Sequence, residues 1–204
     1  MLEFVEEEHI YLLDGVILPS VSEILHFIFP DKYKGVPSEV LNAKASYGTE
    51  IHISIQSYEE NLVGNEMYLP CSSSSEAYQC VVDDYDLNYI ERASLKQYIK
   101  LKKENNIEVL EQEQMIHYED KYAGRFDMIA RVNGDYCLCD IKTTATLDKE
   151  YLSWQLSLYA FARKEKFDKL YAIWLPKKDL GQLIEIDRKS DEEILEMLRK
   201  YEER

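Results

Sequence analysis

Asp127, Asp140 and Lys142 stand in two segments, 124–132 and 135–142, whose other residues are mostly those of β-strands. Charged groups among Phe, Met, Ile, Val and Cys are costly to bury, so their placement asks for a reason. Two carboxylates directly opposed on neighbouring strands have Cβ atoms about 5 Å apart and repel each other. A divalent cation removes that repulsion, and Mg²⁺ or Mn²⁺ commonly takes one or two protein carboxylates and keeps several waters. A lysine on the same side reaches a phosphate or an attacking water. Together such groups suit metal-assisted hydrolysis: the cation lowers the pKa of the water, and the lysine stabilises the charge that develops.

The elements that must position these residues follow from Asn133-Gly134, which lies between two strand patterns and predicts a two-residue type I′ hairpin. Val132 then faces Asp135, Ile129 faces Leu138, Asp127 faces Asp140 and Arg125 faces Lys142. Alternation places Phe126, Met128, Ala130, Cys137, Cys139 and Ile141 on one apolar face, with both cysteines as small buried hydrophobes. The other face carries Arg125, Asp127, Asp140 and Lys142 in one cluster. The bland alternative is a solvated strand surface on which Asp127 pairs with Arg125 or Lys142.

Around this hairpin the chain reads as α/β. Asp14-Gly15 predicts an N-terminal hairpin, and Ser20 with Glu23 forms a capping box for a short helix that Pro30 closes. Pro37 opens a longer helix to about residue 60, with Val40, Leu41, Tyr47, Ile51, Ile55 and Tyr58 on its apolar side. Residues 61–82 read as an irregular loop, and a lysine-rich helix is expected over 83–104. Strands follow at 107–118, 121–132 and 135–142, a buried helix at 148–164, strands at 168–175 and 182–187, and a terminal helix from Ser190. Residues 1–204 are expected to form one domain. Within it, 1–106 hold the N-terminal hairpin and helices, 107–190 an αβ core, and 191–204 the last helix.

Gly124-x-x-Asp127, then Asp140-Ile141-Lys142-Thr143, then Gln155-x-x-x-Tyr159 resembles the PD-(D/E)xK nuclease superfamily, and Gly48-Thr49-x-x-His52 is similar to the GTxxH helix motif of its RecB-like branch. The N-terminal stretch HIYLLDGVILPSVSEIL also looks like the start of phage-encoded recombination exonucleases. The resemblance implies a restriction-endonuclease-like core, a central mixed sheet flanked by helices. It also implies Mg²⁺- or Mn²⁺-dependent hydrolysis of DNA, in phage-type recombination or repair. On this resemblance Asp127, Asp140 and the Ile141 carbonyl would be metal ligands, Lys142 the catalytic lysine, and His52 a further ligand. Many relatives have Glu where this chain has Asp140. An acid one strand earlier would be Glu111 or Glu113, which strand alternation puts on one face; Glu113 is favoured. Gln155 and Tyr159, one helical turn apart, would reach the site or the DNA backbone, and Thr49, Arg125 and Thr143 would contact phosphate or support the ligands.

Composition bears on the same question. The net charge is −15, with 17 acidic and 4 basic side chains in residues 1–95 and 22 and 20 in the remainder. So acidic a chain gains little from phosphate contacts, which counts against a nucleic-acid enzyme unless a metal and local lysines offset it. Lysines do gather at 96–103 and 164–169 and at Lys177 and Lys178. Cys71, Cys80, Cys137 and Cys139 form no CxxC pair, and neither a zinc ribbon nor an iron–sulfur cluster is expected. The acidic start has no signal-peptide pattern and no apolar run spans a bilayer, so a cytoplasmic protein without membrane partners is expected. The expected partners are DNA and a single-strand annealing protein or helicase, with a homo-oligomer around the strand by analogy with ring-forming relatives. The competing readings are a catalytically silent DNA-end or protein-binding module, and a hydrolase of small phosphoesters.

Overall fold

A computed structural model describes residues 1–8, 10–64 and 69–204. Its centre is a five-stranded sheet in the order β4-β5-β6-β7-β8. These strands are β4 (Ile107–Tyr118), β5 (Tyr122–Val132), β6 (Asp135–Lys142), β7 (Lys169–Trp174) and β8 (Gln182–Ile186). Asn133 and Gly134 both have positive φ, 51° and 96°, as a type I′ turn demands. The turn sets Val132 against Asp135, and the ladder continues to Met128–Cys139. β6 and β7 are parallel, joined by the helix α5 (Lys149–Arg163), whereas the other neighbours are antiparallel. The result is a mixed sheet, as a crossover helix between sequential strands produces.

Both faces of the sheet are covered. On one, α1 (Val21–Ile28), α5 and α6 (Asp191–Glu202) pack over Ile129, Leu138 and Leu170. On the other, α2 (Ser38–Val63), α3 (Ser74–Asp84) and α4 (Tyr89–Glu104) pack over Met128, Ala130, Cys137, Cys139 and Ile141. The cysteines are buried in this second cluster, and burial pushes the Cys137 thiol up to about 11. Within the helical layer Glu59 is buried, its carboxylate accepting from the Tyr98 hydroxyl and the Lys102 ammonium, each at 2.7 Å. That pairing satisfies a charge that would otherwise be expensive there. Among the described residues, no helix is long and apolar enough to cross a membrane.

Several expectations need correcting. The segment read as a loop over 61–82 contains most of α3. Ser73 caps it by accepting from Glu76 N–H, and Ser72 grips the same glutamate, so the serine run is a helix start. The helix expected from residue 83 begins at Tyr89, capped by Asn88, after a break at Asp86 with φ 46°. Val40 is exposed, outside the buried stripe of α2. Phe126 joins the α1/α5 cluster, opposite Met128, so strict alternation fails at Asp127. There the pairs Gln112–Met128 and Gln114–Phe126 flank Glu113, whose φ of 50° is left-handed.

The N-terminal strands β1 (Leu2–Val5), β2 (Ile10–Leu13) and β3 (Val16–Leu18) form a separate antiparallel sheet, turned at Asp14-Gly15. It is tied to β5 by Ala123 N–H, which donates to the Pro19 carbonyl at 2.9 Å. Next to that tie, Gly124 leaves no room for a side chain beneath α1 and α5. A methyl there would sit 2.8 Å from the Tyr159 ring and 3.0 Å from Val21. The glycine of the G-x-x-D pattern therefore brings Tyr159 onto the strand three residues before Asp127.

Candidate metal centre

The site forms where β5 and β6 part company. Their ladder ends at Met128–Cys139, and beyond it the Asp127 carboxylate accepts from the Ile141 backbone N–H at 2.7 Å. Asp127–Asp140 and Arg125–Lys142, expected as cross-strand pairs, are therefore not ladder partners. A side chain has taken over a backbone donor, while Asp140 and Lys142 pair instead with Ala172 and Trp174 of β7.

α2 delivers His52 to this gap. Its Nε2 lies 3.0 Å from the Ile141 carbonyl, and its Nδ1 lies 3.6 Å from Asp127 Oδ1 and 3.7 Å from Glu113 Oε1. The last two separations exceed hydrogen-bond length. One ligand atom from each of His52, Glu113 and Asp127 lies within 4.8 Å of the others. All three side chains are half-buried and partly open to solvent. Glu113 comes into place through its left-handed backbone, which costs about 1–3 kcal/mol in a non-glycine residue and gathers at functional sites. The same irregularity separates the two acids expected to share a face: Glu111 turns to Arg163 of α5, at 2.6 Å, and lies outside the cluster.

Asp140 lies alongside. It is only 1% exposed, with the Lys142 ammonium 2.6 Å from its Oδ2. Neither of its oxygens receives a well-directed hydrogen bond among the described residues, because the ammonium is close but poorly aligned. Burial, opposed by Lys142 and assisted by Asp127, pushes the Asp140 carboxyl up to about 6. Lys142 is raised despite burial, chiefly by Asp140 and Asp127. Burial alone would lower His52, but Asp127 and the Glu113 carboxylate outweigh it and bring the imidazole up to about 9. The Nδ1 edge of His52 thus faces both acids across the space a cation would take.

The other expected residues scatter. Arg125 pairs with Glu113, Nε to Oε2 at 3.1 Å, and lies over the Phe4 ring of the N-terminal sheet. Thr143 is beside Gly48, its Oγ1 3.6 Å from where a Gly48 Cβ would be, while Thr49 is exposed. Tyr159 is buried and hydrogen-bonded to Gln155, and burial pushes its phenol well up, with Asp127 and Asp140 adding to the rise. The Gln155 carbonyl oxygen is buried with no partner among the described residues. Tyr33 and Tyr151 also border the site, acting electrostatically on Lys142 and Asp140 respectively, although the sequence did not single them out. The signal was the run Lys32-Tyr33-Lys34, an aromatic between cations just after Pro30.

This donor set fits a divalent cation. It offers oxygens from Asp127 and Glu113 plus one imidazole, with the Asp140–Lys142 ion pair alongside but outside that cluster. In that role His52 would present Nδ1, with its Nε2–H held by the Ile141 carbonyl, the arrangement that orients metal-bound histidines. A histidine that is protonated up to about pH 9 must lose its proton to ligate. Between pH 6.5 and 8.5, Mn²⁺ binding should release close to one proton from His52. Titration calorimetry in buffers of different ionisation enthalpy measures this, and His52→Ala should remove the release. In chelator the signs follow from the same shifts. The stability contributed by His52 is complete below its unfolded value of about 6.5 and is lost as pH rises to about 9. Ionising Asp140 lowers stability between about pH 4 and about 6, so both groups weaken the metal-free fold as pH rises.

Comparison with known families agrees with this architecture. The family model of the PD-(D/E)XK nuclease superfamily matches residues 26–203. No curated relative matches the chain. Among solved structures, that of SSO0001 is similar at 20% identity with a TM-score of 0.36, over 89% of this chain and 81% of that one.

Proposed function

Because the chain belongs to the PD-(D/E)XK nuclease superfamily, we propose that it is a divalent-metal-dependent deoxyribonuclease that degrades DNA from an end, of the RecB-like, phage recombination kind. The observation that carries this reading is the convergence of His52, Glu113 and Asp127 beside the Asp140–Lys142 pair. His52, Glu113, Asp127 and Asp140 would hold Mg²⁺ or Mn²⁺, and the imidazole favours Mn²⁺ over Mg²⁺. The ion supplies a lowered water pKa and charge neutralisation at the phosphate. Lys142 places a fixed ammonium at the same point, able to hold the phosphate or steady the developing oxyanion. Asp127 orients the end of β6 through the Ile141 N–H, and the Ile141 carbonyl orients His52. Arg125, paired with Glu113, would be available to a phosphate if that glutamate held the ion. A helicase or single-strand annealing protein would be the partner that supplies or uses the DNA end.

The test compares linear and covalently closed circular DNA with Mg²⁺, Mn²⁺ or chelator. The linear form alone should be degraded, and only with metal. Equal loss of both forms would mean internal cleavage, and persistence of both would refute the nuclease reading.

A further inference from the structure

A cavity of about 270 Å³ opens between α1 and the first turn of α5, walled by Phe29, Tyr33 and Tyr151 with His26 and Lys32 among its lining. The Phe29 and Tyr151 ring centroids are 5.5 Å apart, inclined at 46°. The Lys32 ammonium lies 3.9 Å from the centre of the Tyr151 ring and is ion-paired with Asp148. Tyr33 is 51% exposed and lines the cavity together with Tyr151. Asp148, which holds Lys32 and caps α5, follows the end of β6 at Lys142 by a short loop, and the two rings act electrostatically on Lys142 and Asp140, so the cavity lies on the metal-centre side of α5.

Three features narrow the ligand. Drug-sized ligands occupy about 300–1,000 Å³, so this smaller space suits one flat ring system and excludes a duplex end. Lys32 is already neutralised by Asp148 and covered by an aromatic face, which makes the cavity a poor anion hook and a good stacking site. A chain of net charge −15 must hold a polyanion with little help from phosphate contacts, and stacking on aromatic rings is the alternative that works for any base.

We propose that this cavity is a nucleobase subsite, receiving an unpaired base of the nucleotide adjoining the phosphate addressed by Lys142 and the acid cluster. The inference rests on the nuclease reading for the location of that phosphate. It makes the enzyme one for single-stranded or frayed ends, because extracting a base costs least where it is already unpaired.

Binding in chelator separates the two ideas, since no cleavage is needed. A short labelled single strand is titrated by fluorescence anisotropy, with one abasic site moved through successive positions. The wild-type protein should bind about tenfold more weakly when one particular base is missing. Tyr33→Ala should bind all strands at that weaker level with no position standing out, and Tyr33→Phe, which keeps the ring, should behave as wild type. A flat scan in the wild type, or an unchanged position effect in Tyr33→Ala, would overturn the subsite, as would failure to bind any strand. Cleavage with a flat scan would leave the nuclease reading intact without the subsite. A position effect without cleavage would do the reverse.

Discussion

Asp140→Asn removes metal-dependent DNA cleavage, by at least about two to three orders of magnitude, while the protein stays folded. The reason is that Asp140 serves the fold poorly. Its carboxylate is 1% exposed, its pKa is pushed up to about 6, and neither oxygen receives a well-directed donor. An amide of the same shape avoids the penalty for burying charge, although Lys142 loses its nearest counter-ion, so the two effects offset each other. Asp127 remains as a second negative neighbour for the lysine. Turnover on linear DNA with Mn²⁺ and thermal melting in chelator should be measured on the same preparations. Undiminished turnover would remove Asp140 from the metal centre. Loss of turnover together with unfolding would make Asp140 a structural residue instead.

Lys142→Ala should lower turnover by about 10²–10³-fold and change Mn²⁺ affinity by much less. The ammonium is 2.6 Å from an Asp140 oxygen that would hold the ion in the proposed role, so removing it would take a competitor from the ligand as well as a charge from the transition state. Equal losses in turnover and affinity would mean that the lysine only supports the metal. Stability provides a second readout. Breaking a buried ion pair costs about 3–5 kcal/mol when one charge is left uncompensated. Here the cost should be small below about pH 6, where Asp140 can take a proton, and should grow above it. Lys142→Arg, which keeps the charge, should restore stability more fully than turnover, because the planar guanidinium cannot reproduce a point charge.

The limits of the sequence reading lie at particular residues. The strands β5 and β6 were legible because Asn133-Gly134 admits few turn geometries and the flanking residues are strand formers. The third helix, α3, was hidden because four serines suggest a loop by composition, whereas Ser73 and Ser72 act locally as caps on Glu76. The helix α5 was visible from its apolar content, and the terminal helix from Ser190 was also expected. Alternation put Glu111 and Glu113 on one face. It failed because a single left-handed residue rotates the strand, and nothing in a glutamate codon position signals positive φ.

By itself the sequence determined the order of the elements from β4 onward, the hairpin register from Val132–Asp135 to Met128–Cys139, and the membership of Asp127, Asp140, Lys142 and His52 in patterns that a nuclease-like chain carries. These depend on local physics: turn chemistry, period-two and period-3.6 burial, and short spacings along one strand or helix. The tertiary structure alone decided which acid of β4 meets His52. It also decided that Asp127 bonds the β6 backbone instead of facing Asp140 in the ladder, that Asp140 is buried against Lys142, and that Tyr33 and Tyr151 lie beside them. Those outcomes depend on where α2 and α5 settle on the sheet and on one irregular residue in β4. They come from packing between segments up to about a hundred residues apart, which no local pattern encodes.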